Sequence, residues 1–451
     1  MNSQTLFTKT SPLKLFFIAS IPGAISMLAS ALYQLIDGVL VGQILGETAF
    51  AALNLAMPFV IINFALADLI GVGSSVPISI SLGRKQEGEA NNLFSCACLM
   101  IVITGALIGA LLFAAAPLLI GWMGAEGDFA HQAVQYLRVY ALCSPVTTIV
   151  FAMDNYLRIC GKIRSSMVLN ILMSALSAVL EYLFLFVFGW GIWGAALATC
   201  LGMCVCALLA LMPFFLKKTQ LRFCRPRLNA GMIRQIVSCG SPNFLNNIAG
   251  RITSILMNML LVRFGGAMAV SVYGILMYAD GFIQPLLYGM CDSLQPAVGY
   301  NWGAGKFSRV KAIEKCCFTA SGILSVASVF VLFLLPETIT NLFMSNVDAV
   351  FMETAVTALK LFSLTYITRW FSFATQSYML AVEKSLPASL ISVSTALVFP
   401  VLIIVLLWPL ELTGIWLNFA CTALLAAILS AIILFKMRGE LNQPDIPEAN
   451  P

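Results

Sequence analysis

Apolar runs long enough to cross a bilayer recur twelve times along this chain, more than any soluble fold could bury. Windows of about twenty apolar residues place them at approximately 14–41, 49–81, 92–116, 131–158, 165–188, 191–216, 235–262, 268–299, 311–335, 350–381, 387–409 and 412–436. Inside hydrocarbon every backbone N–H and C=O must be satisfied within the chain, so runs of this length are expected as helices. Composition agrees: 60% of the residues are hydrophobic and 10% charged, against roughly 25% charged in soluble domains. The expected fold class is an all-α integral membrane protein with twelve transmembrane helices. Several runs exceed the ~20 residues a crossing needs, which allows tilt or kinks. Prolines within them (Pro22, Pro58, Pro77, Pro145, Pro242, Pro285, Pro296) supply the kinks. No small-residue cleavage site follows the first run, which is read as a retained helix.

Lysine and arginine set the orientation. With the N-terminus in the cytoplasm, 20 of the 25 basic residues fall at the inner ends and loops, from Lys9 and Lys14 to Lys436 and Arg438. The outer loops receive Arg263 alone and carry acids instead: Glu47, Glu126, Asp128, Glu337 and Asp348. Both termini are therefore expected in the cytoplasm of a multi-pass protein of the bacterial cytoplasmic (inner) membrane. The lipid bilayer is its first partner. Nucleic acid is not one, because the basic residues lie in short runs between apolar segments and form no basic face.

Cysteine and histidine usage removes other classes. The thirteen cysteines lie in apolar runs or inner loops, so no disulfide framework is expected. Cys96-Ala97-Cys98 and Cys204-Val205-Cys206 put residues two apart, which do not face each other on a helix. No metal site is read from them. With His131 as the single histidine, no catalytic constellation is visible, and an enzyme is not expected.

The chain also repeats. Pro22 and Pro242 hold the same place in runs 1 and 7, an offset of 220; Pro77 and Pro296 close runs 2 and 8. A short basic turn follows each of the latter, Leu82-Gly83-Arg84-Lys85 and Trp302-Gly303-Ala304-Gly305-Lys306. Gly191-Ile192-Trp193 opens run 6 and Gly414-Ile415-Trp416 opens run 12. Together these predict two six-helix bundles related by a pseudo-two-fold axis along the membrane normal. The expected division is an N-terminal lobe over 1–216, a basic inter-lobe loop over 217–234, a C-terminal lobe over 235–440 and a tail over 441–451. Two bundles around a cleft suit alternating access, hence a transporter.

Six acids fall inside the runs: Asp37, Asp68, Asp154, Glu181, Asp280 and Asp292. A carboxylate at the centre of a membrane helix costs about 2.5–3.5 kcal/mol on insertion scales, so each needs a partner or a task. At ~1.5 Å of rise per residue, Asp37 lies ~6 Å, Glu181 ~10 Å, Thr199 ~12 Å and Ser177 ~16 Å below the outer face. On that depth Asp37 either reaches back to the headgroups or joins a cluster of four oxygen-bearing side chains. Such a cluster suits a proton or a small hard cation such as sodium. Asp154 has Arg158 one turn on and is read as a structural pair. Asp280 and Asp292 share their half with Arg251, Lys360 and Arg369, which can neutralise them. Asp68, beside Gly71-Val72-Gly73, has no assigned role beyond a candidate substrate or coupling site, a standing Asp280 and Asp292 share.

Three stretches carry a resemblance: Ile36-Asp37-Gly38-Val39-Leu40-Val41-Gly42, Leu157-Arg158-Ile159-Cys160-Gly161-Lys162, and Gly191-Ile192-Trp193-Gly194-Ala195-Ala196-Leu197-Ala198-Thr199. In these the chain resembles bacterial transporters of the MATE (multidrug and toxic compound extrusion) family, near its staphylococcal multidrug-pump group. The resemblance spans essentially all twelve runs. It implies cation-coupled export of amphipathic, often cationic compounds through a V-shaped pair of lobes, without a cofactor and as a monomer. It also implies a cation site in which Asp37 and Thr199 match the family pattern, Glu181 stands for the usual aspartate and Ser177 for the usual asparagine. The family's span 7 glutamate has no counterpart, since Gly250 and Arg251 occupy that neighbourhood. Proton coupling is the main expectation, with sodium as the other ion. A lipid or oligosaccharide flippase of the same superfamily is the alternative function.

Overall fold

A computed structural model describes residues 3–124, 126–343, 348–441 and 443–446. Among these the chain is helical, and twelve helices are long and apolar enough to span a membrane. Spans 1 to 6 are Pro12–Leu45, Thr48–Gly83, Glu87–Trp122, Gly127–Ile159, Ile163–Val187 and Ile192–Phe215. Spans 7 to 12 are Ala230–Gly266, Met268–Gly303, Phe307–Leu334, Ala349–Ala381, Ser385–Leu406 and Trp408–Lys436. Every expected run has its helix. Large apolar side chains such as Leu107, Leu111 and Leu118 stay exposed on span 3, as a lipid-facing surface requires.

The repeat is written in the backbone as well as in the prolines. Gly46, between spans 1 and 2, and Gly266, between spans 7 and 8, both have positive φ (86° and 62°), which a residue with a Cβ rarely adopts. Spans 2, 4, 6, 8 and 10 all end in one type of cap. In each, a residue with positive φ (Lys85, Gly161, Lys217, Gly305, Glu383) is followed by an N–H that reaches back five residues. These bonds run from Gln86 to Ser81, Lys162 to Leu157, Lys218 to Pro213, Lys306 to Asn301 and Lys384 to Met379, at 2.8–2.9 Å. This is the Schellman closure, which satisfies carbonyls that a helix end would leave bare. The lysines and arginines crowd these turns, and we call this the basic face. At the opposite face, Phe184, Trp190 and Trp193 stack at 4.6–5.0 Å around the turn between spans 5 and 6, an interfacial aromatic anchor.

Helix ends differ from the sequence expectation where a cap decides them. Asn229 caps span 7 by accepting from the Met232 N–H at 2.7 Å, so the helix starts at Ala230 and Arg234 lies within it. The preceding segment is pinned along the start of span 3. There the backbone N–H groups of Arg222, Cys224 and Arg227 donate to Asn91, Ser95 and Asn92 at 2.7–2.9 Å. At the other end of the chain, Asp445 accepts from the Ser308 N–H at 2.7 Å and from its hydroxyl, while the Ile446 N–H donates to Gly305 O at 3.0 Å. Residues 442 and 447–451 of the tail, and the side chain of Glu47, lie outside the described residues.

The chain divides into two compact units, Met1–Thr10 with Ile25–Gly240, and Ser11–Ala24 with Ser241–Pro451. Each unit thus takes in the basic-face end of the first span of the other repeat. In the first unit a Cβ on Gly240 would lie 1.8 Å from Leu69 O, and one on Gly73 would lie 2.1 Å from Ile236 O. In the second, a Cβ on Gly23 would lie 2.4 Å from Gly289 O. Backbones approach this closely only where side chains are absent. The first unit's core gathers Leu53, Val60, Tyr136, Leu137 and Leu185; the second's gathers Leu261, Leu276, Phe362, Tyr366 and Trp416.

Candidate functional site

Span 1 continues as helix to Leu45, three residues before span 2 begins, so Asp37 lies about 12 Å below the acidic-face end of its helix, deeper than the sequence depth suggested. It is 6% exposed, too buried to reach headgroups. Glu181 is fully buried six residues before the end of span 5, whose last five residues, Leu183–Val187, adopt a π-helical turn. Such widened turns recur at functional sites. Thr199 sits two turns into span 6, also buried. The three depths agree to a few ångströms, and the side chains meet.

Their geometry is a hydrogen-bonded chain. The carboxyls of Asp37 and Glu181 lie within hydrogen-bonding reach of each other. The Tyr33 hydroxyl, one turn before Asp37 on the same face, donates to Glu181 Oε2 at 3.3 Å and shares a 2.6 Å hydrogen bond with Thr199 Oγ1. Tyr140 of span 4 lies beside Thr199, and its ring packs on Tyr136 at 5.2 Å. Asp37 Oδ1 and Glu181 Oε1 are sealed from solvent and accept from no other side chain. No ion pair reaches either acid among the described residues. Ser177 is buried but stands apart: its hydroxyl has no hydrogen-bond partner and is pressed against span 6, where a Cβ on Gly202 would lie 2.1 Å away. The three tyrosines were not singled out from sequence. The i,i+4 spacings Tyr33/Asp37 and Tyr136/Tyr140 were the available signal.

The other intramembrane acids are placed elsewhere. Asp154 pairs with Arg158 at 2.7 Å and is held by Ser166 and, at 2.8 Å, Asn170, the structural pair expected. In the second unit Asp280 pairs with Arg369 at 2.8 Å and accepts from Tyr366. Of the three basic residues expected to neutralise it, Lys360 instead lies over the Phe333 ring at 5.7 Å and Arg251 is exposed. Asp292 accepts from Gln295 at 2.9 Å and from Ser377 at 3.2 Å. Asp68 is half-buried in the middle of span 2, beside the close approach of Gly71 to Ala152.

Twelve spans in two repeats of six, with acids buried within them, fit a membrane transporter. The chain belongs to the MatE family, whose sequence profile matches residues 22–183 and 242–406, one block in each repeat. It is 24% identical over 441 residues to the multidrug export protein MepA of Staphylococcus aureus, covering 96% of both chains. Its identity to the MepA of Staphylococcus saprophyticus is also 24%, over 440 residues and 96% of both. Among solved structures it matches an outward-facing multidrug resistance MATE family transporter of the MOP superfamily, at 23% identity over 98% of this chain and 99% of that one (TM-score 0.92). A MOP superfamily transporter from Pyrococcus furiosus, described as having a binding pocket of reversed polarity, matches at 23% identity over the same shares (TM-score 0.90).

Proposed function

We propose that this protein exports amphipathic, often cationic small molecules by antiport, driven mainly by protons, and that Asp37 and Glu181 are the coupling pair. The observation that carries the reading is the contact of two sealed carboxyls with no cationic side chain beside them. Two carboxyls cannot both ionise cheaply when they are close and poorly solvated, so a proton between them is the natural occupant, and their titration belongs to the pair. Tyr33 and Thr199 orient Glu181 and bridge spans 1 and 6. Protonation draws Asp37 and Glu181 together. Deprotonation leaves two charges that repel and attract a cationic substrate. Sodium would need more oxygen ligands, and Ser177, the shorter stand-in for an amide, has its hydroxyl against Gly202. The MepA relatives, named for multidrug export, support the substrate class.

The basic face is the cytoplasmic one in this reading, with both termini there and the protein in the bacterial inner membrane as a monomer. The test is reconstitution. In vesicles holding inverted protein, an inside-acid pH gradient should drive dye uptake without sodium. A strict sodium requirement overturns the proton assignment.

A further inference from the structure

Glu314, on span 9 of the second unit, is a buried carboxyl that nothing above uses. It lies seven residues into Phe307–Leu334, about 10 Å from the basic-face end of the helix. It is 8% exposed, and among the described residues it makes no hydrogen bond or ion pair. Its neighbours on the helix, Lys311 and Lys315, are exposed and leave it uncompensated. The titratable groups that interact with it are Cys317 on its own helix and Tyr378 on span 10. One turn deeper, Cys317 Sγ lies 3.6 Å from Cys291 Sγ on span 8, which in turn lies 3.5 Å from Ser321 Oγ. Glu314, Cys317, Ser321 and Ser325 follow one another at i+3 or i+4 on the buried face of span 9, a polar line about 16 Å long. At its far end the Ser325 hydroxyl is sealed and without a partner.

A buried acid with no cation and no donor costs stability that a leucine there would not, so packing gives no reason for it. The donor set limits what it can bind. Thiols are poor ligands for hard cations such as sodium, which prefer oxygen. Among the described residues no three His, Cys, Asp or Glu side chains converge on a metal-sized site, which removes a transition-metal ion. A buried carboxyl on which no other ligands converge suits a proton.

We infer that Glu314 is a second proton-binding site of this transporter, in the second unit and loaded from the basic face. The inference rests on the proton-driven reading of Asp37 and Glu181. The two are separable by infrared difference spectroscopy of the full chain in lipid across a pH step, which reports protonated carboxyls by their C=O stretch. Glu314→Gln should remove one titrating carboxyl band that survives in Asp37→Asn/Glu181→Gln. It should also cut pH-driven dye transport at least tenfold without lowering the thermal midpoint. Glu314→Leu should be at least as stable as the wild type and equally inactive. If Glu314→Gln removes no band, or if Glu314→Leu transports at the wild-type rate, the inference is overturned. Normal transport by Asp37→Asn/Glu181→Gln would sink the coupling pair and leave the Glu314 band to be judged on its own.

Discussion

Gly202→Ala tests the helix contact that holds the site's two walls together. Glu181 is on span 5 and Thr199 on span 6, and these spans touch where Ser177 meets Gly202. A methyl there would lie 2.1 Å from Ser177 Oγ, 3.2 Å from its Cβ and 3.3 Å from its Cα. The hydroxyl can rotate away, but the Cβ and Cα cannot, so the spans must part by a few tenths of an ångström. Overpacking of this kind costs about 1–3 kcal/mol. For a unit of this size that is a fall of about 2–12 °C in the thermal midpoint. Ser177→Gly removes two of the three offending contacts, so the double variant should recover most of the loss, a coupling well above the few tenths of a kcal/mol seen between independent sites. The parting also moves Thr199 and Tyr33 relative to Glu181, so dye export should fall with Gly202→Ala and return with the pair. The assay is thermal unfolding of purified protein alongside export from cells. An unchanged midpoint in Gly202→Ala, or no rescue by Ser177→Gly, would refute the reasoning.

Two further predictions concern structure outside the site. Arg158→Met strands the largely buried Asp154 beside Ser166 and Asn170. It should cost about 3 kcal/mol, most of it regained in Arg158→Met/Asp154→Leu, and thermal unfolding of both variants checks this. Hydrogen bonds from the Ser308 side chain and then its backbone hold the Asp445 carboxyl below the ordinary aspartate range. A depressed carboxyl stabilises its docked state above its free pKa and loses that contribution as pH falls through the docked value. The tail contact at Gly305 should therefore persist at neutral pH and loosen only in acid. Hydrogen exchange at the Ile446 amide should be slow at neutral pH and fast in Asp445→Asn, and equal rates in the two proteins would remove the contact's role.

Much of this was legible in the sequence because the bilayer imposes a simple rule on it. Twelve apolar runs had to be helices, and the proline offsets near 220 had already marked the repeat. The ends were less legible, since they depend on hydrogen bonds made by single residues. Asn229 starts span 7 before its apolar run begins, and span 1 continues through Gly42 to Leu45, which put Asp37 twice as deep as the apolar count implied. Within the site, acids drew attention because their burial is costly, whereas Tyr33 and Tyr140 read as ordinary apolar positions until the fold set them beside Glu181 and Thr199. Glu314 was hidden differently: between Lys311 and Lys315 it looks like part of a solvated helix start, and only tertiary packing buries it. The Schellman caps of the basic face were invisible where Lys85, Lys217 and Glu383 take a conformation usually left to glycine.

The central claim is that Asp37 and Glu181 work as one proton-holding unit, and a double-mutant cycle on transport tests it most directly. Initial rates of pH-driven dye uptake would be measured in vesicles for wild type, Asp37→Asn, Glu181→Gln and the double variant, at matched reconstitution and with folding checked by thermal midpoint. If the two acids share one task, each single change should abolish most of the transport, and the double variant should be no worse than either. Losses that multiply in the double variant, or a well-folded Asp37→Asn protein that transports at the wild-type rate, would contradict the account.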